Sequence, residues 1–245
     1  MKLKKLVAIT LSAVMCMAAL TGCGGKSDSA KKTAKVIEVD LTDEQYAFGV
    51  DKDQPDLLKE VNQFVKDMKS DGTFDEICNR YFGDGTPVPV KSAAYDESKD
   101  QLVVATNAAF EPFEYMDGEN YVGIDMEIAK ALADKLGKEL VIQNMDFDAV
   151  CLSVGQHKCD VAMAGLTIKP DREEYVAFSD PYYSASQKLI TLSTDTEFDA
   201  CKTADDVNKI LEAKGSDLKI GFQNGTTGQF YCEGDDDWGF PGLKM

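Results

Sequence analysis

Short apolar runs typical of strands alternate with amphipathic helical patterns over most of this chain. Residues 101–107, QLVVATN, have the continuous apolar character of a buried strand. The segment GIDMEIAKALADKLG then places Ile128, Leu132 and Leu136 on one helical face, and Gly137 ends it. The alternation continues through ELVIQNM, DAVCLSVGQ, DVAMAG, QKLITLS, ADDVNKILEAKG and LKIGFQ. Strands that alternate with helices predict an α/β fold with largely parallel sheets.

Two further helices are predicted before residue 101. Pro55 suits a first helical turn, and the apolar stripe that follows it ends at Gly72. Thr73 and Glu76 have the spacing of a capping box and predict a second, shorter helix that ends at Gly83. The predicted strands that precede both helices are KVIEVDL (35–41) and YAFGV (46–50).

The charge balance argues against two kinds of binding partner, nucleic acid and an anionic membrane surface. The chain of 245 residues has 26 basic and 43 acidic side chains, which gives a formal net charge of −17. Proteins that bind nucleic acid or an anionic membrane surface need basic patches to displace counterions. We therefore expect no nucleic-acid partner, and the acidity is typical of a soluble secreted domain.

The first residues have the character of a targeting signal. Three lysines precede an apolar run, residues 6–20, which is too short to span a bilayer but typical of a signal peptide. The run ends in LTGC, which resembles a bacterial lipobox whose cysteine, Cys23, carries lipid after cleavage. Residues 1–23 are therefore predicted to be a lipoprotein signal peptide. Residues 24–35 contain no large apolar side chain before Val36 and are predicted to be a flexible tether.

Five cysteines remain in the predicted mature domain. Cys151 and Cys159 flank a short loop, and an extracellular compartment permits a disulfide between them. Buried free thiols explain the same residues equally well. No C-x-x-C pair indicates zinc or redox chemistry.

Several motifs together resemble one family. Residues 123–136, GIDMEIAKALADKL, resemble the signature of bacterial extracellular solute-binding proteins of family 3, the amino-acid receptors of ABC importers. The resemblance implies an α/β, two-lobed, periplasmic-binding-protein-like type II fold, in which two crossing strands join the lobes and the ligand lies between them. Further segments that resemble the family, in its order, are LVVATNAAFEPFEY, NMDFDAV, AGLTIKPDRE, FSDPYYSA and KIGFQNGTTG.

The order of the segments differs from the family pattern. Residues 35–50 and 56–83 resemble the family's C-terminal part, yet here they come first. A circular permutation, with 84–100 joining the former ends, accounts for this order; a gene fusion with a leftover tail is the alternative. We also expect lobe 2 to be incomplete, because a βαβ unit of the family is absent. The predicted parts are lobe 1 at 47–181, lobe 2 at 36–41 and 187–245, and hinges at 42–46 and 182–186.

The resemblance implies a site for the head group of a free amino acid. A guanidinium fork matches a carboxylate bidentately, and Arg172 matches the family's carboxylate-binding arginine. Ala164, Gly165 and Thr167 match the strand end that contacts the head group.

The resemblance also assigns residues to the remainder of the ligand. Phe110 and Phe147 match the family's aromatic walls, and Asn107 matches a position near the ligand side chain, where an amide disfavours a cationic ligand. The loop QNGTTG contributes Gln223, Thr226 and Thr227, whose hydroxyl and N–H groups suit an anion.

Other chemistry has little support in the sequence. The single histidine, His157, lies in a turn without a third group for nucleophilic catalysis. The stretch EGDDDWG (233–239) lacks a full calcium-loop pattern and is predicted to be a solvated acidic turn. We therefore predict no metal and no cofactor.

The resemblance implies a monomeric, lipid-anchored receptor on the extracytoplasmic face of the membrane. It would bind a polar amino acid by hinge closure and deliver it to an ABC permease, without catalysis. The alternative is a lyase of the cyclohexadienyl-dehydratase type on the same fold. An enzyme needs a general acid or base, and the predicted cleft residues include no carboxylate, which favours the receptor.

Overall fold

A computed structural model describes residues 33–244 and confirms an α/β fold. The helices are α1 (Pro55–Ser70), α2 (Thr73–Phe82), α3 (Ile124–Leu136), α4 (Phe147–Gly155), α5 (Ala204–Ala213) and α6 (Thr227–Glu233), with 3₁₀ turns at Arg172–Glu174 and Gly215–Asp217. The strands are β1 (Ala34–Val36), β2 (Glu44–Tyr46), β3 (Gly49–Asp51), β4 (Gln101–Thr106), β5 (Ala109–Phe110), β6 (Glu114–Asp117), β7 (Asn120–Val122), β8 (Glu139–Asn144), β9 (Val161–Ala162), β10 (Val176–Phe178), β11 (Tyr183–Ala185) and β12 (Ile190–Leu192).

The main sheet has five strands in the order β10-β3-β9-β4-β8. β4 pairs in parallel with β8 and β9, whereas β3 pairs antiparallel with β9 and β10. The prediction of largely parallel sheets was therefore wrong. The reason is that β3, from the first part of the chain, runs against the other strands and inserts between two of them.

The central strand β4 is buried on both faces. Leu102 and Val104 pack into a core with α1, α2 and α3, whereas Val103 and Ala105 pack into a second core with α4. Side chains alternate between the faces of a strand, so burial on both sides requires a continuous apolar run. The sequence QLVVATN meets this requirement, and the buried-strand prediction is confirmed.

The two early helices have the predicted bounds but not the predicted cap. The apolar stripe of α1 is buried, from Val61 to Met68. α2 has Gly72 at its N-cap with φ of 90° and no side-chain cap, so the capping box with Thr73 and Glu76 was wrong. Gly72 turns the chain in the left-handed region, and Thr73 is already the first helical residue. Its N–H donates instead to Asp71 Oδ1 at 2.9 Å.

Two short paired strands, β2 and β11, occupy the residues that are predicted to be hinges. β2 and β11 pair antiparallel, with Tyr46 opposite Tyr183 and Glu44 opposite Ala185. Beyond them, β1 and β12 form a separate two-stranded sheet. A small core covers it, made of Ile37, Val39, Phe198, Val207 and Leu211.

Two predictions at the periphery need correction. Residues 218–223, LKIGFQ, form no strand in the described part of the chain. Leu218 and Ile220 pack on the small core, but no neighbouring strand supplies the hydrogen bonds that a β-ladder needs. The predicted tether overlaps β1 at Ala34 and Lys35. The rest of the tether, the signal peptide and Cys23 lie outside the described residues.

The described cysteines, at 78, 151, 159, 201 and 232, are all free, so Cys151 and Cys159 form no disulfide. Burial raises the pKa of the Cys151 thiol to about 11 and also raises that of Cys159. Both behave as buried core residues. Among the helices between residues 33 and 244, none has the length and apolar character needed to cross a membrane.

Candidate functional site

A cavity of about 600 Å³ opens beside β2. Its volume is in the range of sites for small molecules. The structure brings all ten sequence-predicted site residues to its wall: Asn107, Phe110, Phe147, Ala164, Gly165, Thr167, Arg172, Gln223, Thr226 and Thr227. Their role in binding remains a prediction.

The loop after β9 forms one side of the cavity. Gly165 has φ of 52°, and its N–H donates to Asp125 Oδ2 at 2.9 Å. A Cβ at this position would lie 2.9 Å from Cε1 of Phe110, so only glycine allows this close approach. Ala164 and Thr167 are buried on either side. The small residues thus bring backbone atoms to the cavity surface.

Arg172 lies in the 3₁₀ turn Arg172–Glu174, and its guanidinium is buried. Nη1 donates to the carbonyl oxygen of Thr167 at 2.7 Å and Nη2 to that of Gly225 at 2.9 Å. The guanidinium carbon lies 5.2 Å from the ring centroid of Phe147, which is within cation–π range. Burial lowers the pKa of Arg172, but arginine stays protonated in proteins. A guanidinium has five N–H donors, so donors remain for a ligand carboxylate.

Glu44 is a buried carboxylate on the cavity wall that the sequence analysis missed. Oε1 accepts from Thr42 Oγ1 at 2.6 Å and from Gln187 Nε2 at 2.9 Å. Oε2 accepts from the hydroxyls of Thr167 and Thr227, both at 2.7 Å. The expectation that the cleft has no carboxylate was therefore wrong. A signal existed, because strand alternation places Glu44 on the same face of β2 as the buried Tyr46.

The polar side chains at the far side of the cavity contact one another. Asn107 Nδ2 donates to the carbonyl oxygen of Met145 at 2.7 Å, and its Oδ1 accepts from Gln223 Nε2 at 3.1 Å. Thr226 Oγ1 donates to the carbonyl oxygen of Gln223 at 2.7 Å, within its own loop. Phe110, which is 40% exposed, stacks on Phe113 with ring centroids 5.5 Å apart.

Two carboxyl groups are buried in the protein interior, and one of them contacts the cavity wall. Asp125 accepts from Gly165 N and from the Tyr182 hydroxyl at 2.6 Å, and burial raises its pKa to about 6. Burial and the charge of Asp125 raise the pKa of Glu114 well above its ordinary value. Neither carboxyl oxygen of Glu114 has a hydrogen-bond partner within residues 33–244. Burial without a hydrogen-bond partner therefore favours the neutral form of the Glu114 carboxyl.

Lys169 pairs with two carboxylates beside the cavity. Its Nζ lies 2.9 Å from Asp171 Oδ2, 2.8 Å from Asp235 Oδ2 and 3.8 Å from the ring centroid of Phe230. Asp235 belongs to EGDDDWG, and its side chain is 15% exposed. The prediction of a solvated acidic turn was thus wrong at Asp235, because the buried ammonium of Lys169 needs a counter-charge.

One group of side chains has the composition of a metal site. Ligand atoms of Asp51, Asp53 and His157 lie within 4.8 Å of one another. His157 is exposed, as predicted, but its Nδ1 is 2.8 Å from Asp51 Oδ2 and its Nε2 is 3.5 Å from Asp53 Oδ2. Since the two ring nitrogens face different carboxylates, the arrangement is that of an ion pair, and the hydrogen bond to Asp51 raises the pKa of His157.

The site geometry agrees with a family-level match. The model of the family "Bacterial extracellular solute-binding proteins, family 3" matches residues 8–84 and 102–228. The chain belongs to this family. The resemblance inferred from its motifs is thereby confirmed, whereas the permuted order of its segments remains a prediction.

Individual relatives match only part of their own length. The arginine-binding extracellular protein ArtP of Bacillus subtilis is 40% identical over 96 residues, which are 39% of this chain and 38% of ArtP. A solved structure of an ancestral arginine-binding protein bound to arginine is 42% identical, with a TM-score of 0.33, over 35% of this chain and 38% of that chain. An ancestral cyclohexadienyl dehydratase is 34% identical, also with a TM-score of 0.33, over 34% and 35%. The chain thus spans well under half the length of these relatives.

Proposed function

We propose that this protein is an extracytoplasmic receptor that binds a free amino acid in the cavity and delivers it to the permease of an ABC importer. The observation that carries the proposal is the buried Arg172 on the cavity wall, whose free donors have no anionic partner among residues 33–244. A buried cation is costly unless a fixed partner receives it, and the carboxylate of an amino acid is a matching partner.

Hinge closure around the ligand is the proposed mechanism. In this proposal the lobes are 47–181 and 36–41 with 187–245, joined at β2 and β11. Contacts between the two parts support it: Arg172 donates to the Gly225 carbonyl oxygen, and Gln223 donates to Asn107. In this proposal these contacts break when the cleft opens, and the described conformation is the closed one.

We propose L-arginine as the first ligand to test. ArtP and the ancestral protein, both named for arginine, support this choice. The amide of Asn107 argues against a cationic side chain, but Glu44 adds a negative charge to the cavity wall that the sequence analysis did not consider.

We also propose that Cys23 anchors a monomeric protein to the outer face of the membrane. The charged residues, the apolar run and LTGC support the anchor in their order along the sequence. The tether would then begin directly after the lipidated cysteine.

Calorimetric titration of the full chain with each of the twenty amino acids tests the receptor. We expect saturable binding of L-arginine or another polar amino acid at micromolar or lower concentration. Binding of none of them would contradict the proposal.

A lyase of the cyclohexadienyl-dehydratase type is the second candidate. The observation that favours it is Glu44, since a carboxylate in a cavity can act as a general acid or base. Against it, Glu44 already accepts four hydrogen bonds and has no oxygen free to take a proton from a substrate without rearrangement. Incubation with a cyclohexadienyl acid and detection of the aromatic product would decide between the two functions.

A further inference from the structure

Asp125 is a fully buried carboxylate on α3 whose two oxygens contact different parts of the protein. Oδ2 accepts from the N–H of Gly165 at 2.9 Å, in the loop that forms one side of the cavity. Oδ1 accepts from the hydroxyl of Tyr182 at 2.6 Å, at the start of the segment predicted to be a hinge. A single side chain therefore joins the cavity wall to the predicted hinge.

The bond to Gly165 sets the orientation of a peptide group at the cavity wall. The N–H of Gly165 and the carbonyl oxygen of Ala164 belong to one planar trans peptide unit and point in opposite directions. Because the N–H is directed at Asp125, the carbonyl oxygen points away from it. Ala164 and Gly165 both line the cavity, whereas Asp125 lies behind them. Asp125 thus fixes backbone atoms of the cavity surface from the protein interior.

The bond to Tyr182 connects Asp125 to the predicted hinge strands. The ring of Tyr182 stacks on Phe48 with ring centroids 4.3 Å apart, and its N–H donates to the carbonyl oxygen of Tyr46 at 2.9 Å. Tyr46 lies on β2 and also lines the cavity. The hydroxyl of Tyr182 has one proton to donate and directs it to Asp125. A change in the hydrogen bonds of Asp125 therefore affects residues at the hinge as well as the cavity wall.

We propose that Asp125 is a positioning residue for amino-acid binding, whose ionised carboxylate holds the Gly165 loop and Tyr182 in the arrangement that binds the ligand. The inference rests on the proposed receptor function and adds to it a residue that does not touch the ligand. An ionised carboxylate accepts from both partners, whereas a protonated one carries an O–H that must itself find an acceptor. The Tyr182 hydroxyl can be that acceptor only if it no longer donates to Oδ1. Protonation also replaces charge-assisted hydrogen bonds by weaker neutral ones, so both contacts loosen.

The surroundings of Asp125 place its titration in the weakly acidic range. Burial raises its pKa to about 6, and its two hydrogen bonds oppose that rise. Its charge affects the pKa of its titratable neighbours in the described part of the chain, which are Tyr182, Glu114 on β6, Tyr46 on β2 and Cys78 on α2. Burial raises the pKa of each of these neighbours and favours its neutral form. A change of charge in this cluster below neutral pH is therefore assigned to Asp125.

The pH dependence of ligand affinity tests the proposal. The full chain and its Asp125→Asn variant are titrated calorimetrically between about pH 5 and 7 with L-arginine, or with another amino acid that binds the wild type and does not itself titrate there. The affinity of the wild type should fall by roughly threefold or more from the upper to the lower pH, because charge-assisted bonds become neutral ones. Asp125→Asn cannot ionise, so its affinity should be weaker than that of the wild type at the upper pH and should change by less than about twofold over the range.

Asp134→Asn is the matched control. Asp134 lies on the same helix, α3, and its exposed carboxylate pairs with Lys130. This variant removes one negative charge without a contact to the cavity wall or the hinge, so it should keep the affinity and the pH dependence of the wild type. His157 is present in all of these proteins, so its titration cannot account for a difference between them.

Tyr182→Phe provides a second measurement that does not depend on the folding of Asp125→Asn. The Tyr182 hydroxyl lowers the pKa of Asp125, so its removal should move the midpoint of the affinity change to higher pH. An unchanged midpoint overturns the proposal. Wild-type affinity that does not vary with pH, or that varies equally in Asp125→Asn, overturns only the role of Asp125. Wild-type protein that binds no amino acid at any pH contradicts the receptor itself.

Discussion

Arg172 donates a hydrogen bond to the carbonyl oxygen of Thr167 across 2.7 Å, five positions back along the chain. This contact fixes one edge of the guanidinium at the cavity wall. A second bond to the Gly225 carbonyl oxygen and the ring of Phe147 complete its support. The guanidinium group is therefore fixed in the absence of a ligand, which would lower the entropy cost of binding.

The first prediction concerns the guanidinium group of Arg172. Arg172→Ala should weaken amino-acid binding by roughly 2–5 kcal/mol, because the ligand carboxylate would be left without its partner. Arg172→Lys should recover only part of the loss, since lysine is a point charge without the planar geometry. Arg80→Lys is the control, because Arg80 pairs with Glu76 and Glu127 away from the cavity. Unchanged affinity of Arg172→Ala in calorimetry would remove Arg172 from the site.

The second prediction concerns Gly165. Gly165→Ala places a Cβ against the Phe110 ring at a φ of 52°. Gly118 has a similar φ of 61° but no atom within 4 Å of the added Cβ, so Gly118→Ala isolates the backbone strain. Both should lower the free energy of unfolding by about 1–2 kcal/mol. Only Gly165→Ala should also weaken ligand binding, because only there must a cavity wall move. Equal binding by both variants would show that Phe110 is not a wall of the ligand site.

The third prediction concerns the pH dependence of stability. Glu114 has a folded pKa well above its ordinary 4.5, so the folded state retains a proton that the unfolded state releases. Its contribution to stability is thus complete below pH 4.5 and decreases as the pH rises towards the folded pKa. The slope is about 1.4 kcal/mol per pH unit. Asp125 adds the same effect only between its ordinary pKa of 3.8 and its folded pKa of about 6.

Urea denaturation above about pH 6, where Asp125 no longer adds to the decline, measures the contribution of Glu114. Glu114→Gln should remove up to about 1.4 kcal/mol per pH unit of this decline, because the amide cannot ionise. The exposed Glu111, three positions earlier, provides Glu111→Gln as a control for loss of one negative charge. Parallel stability curves for the wild type and Glu114→Gln would show that Glu114 is already ionised in the folded protein.

Much of the fold could be predicted because its signals are local. Pro55 and the stripe that follows it predict α1 within its observed bounds, and the apolar run from 101 predicts β4. The direction of β3 could not be predicted, since its partners β9 and β10 lie more than a hundred residues further along the chain. Strand pairing depends on such distant neighbours. Residues 218–223 have a strand-like sequence pattern but no partner strand, and they form no strand.

The residues of the cavity wall were predictable where a motif contains them. The segments around Phe110, Gly165 and Arg172 each match the family locally, and the structure brings them to one cavity. Glu44 has no such motif. Its contacts with Thr167 and Thr227 join positions 123 and 183 residues apart, so its burial becomes evident only from the folded chain.

The fourth prediction concerns the anchor at Cys23, which lies outside the described residues. Cys23→Ser should release the protein from the membrane fraction of expressing cells, because the thiol is the proposed site of lipidation. The unfolding midpoint of the variant should equal that of the wild type, since the residues just after Cys23 carry no large apolar side chain. A variant that still sediments with membranes would contradict the lipobox.

The last prediction concerns the ion pair of Lys169 and Asp235. Lys169 belongs to the proposed lobe 1 and Asp235 to lobe 2, and the buried ammonium also stacks on Phe230 of α6. Asp235→Asn leaves Lys169 only the more exposed Asp171 as a counter-charge. The free energy of local opening at α6 should fall by roughly 1.5–3 kcal/mol, because a hydrogen bond between charged groups is lost.

Hydrogen exchange of the α6 amides should accelerate accordingly, while the amides of β4 keep their protection. The exposed neighbour Asp236 provides the control Asp236→Asn, which removes the same charge without a contact to Lys169. If both variants exchange at the same rate, the ion pair does not hold α6 against lobe 1.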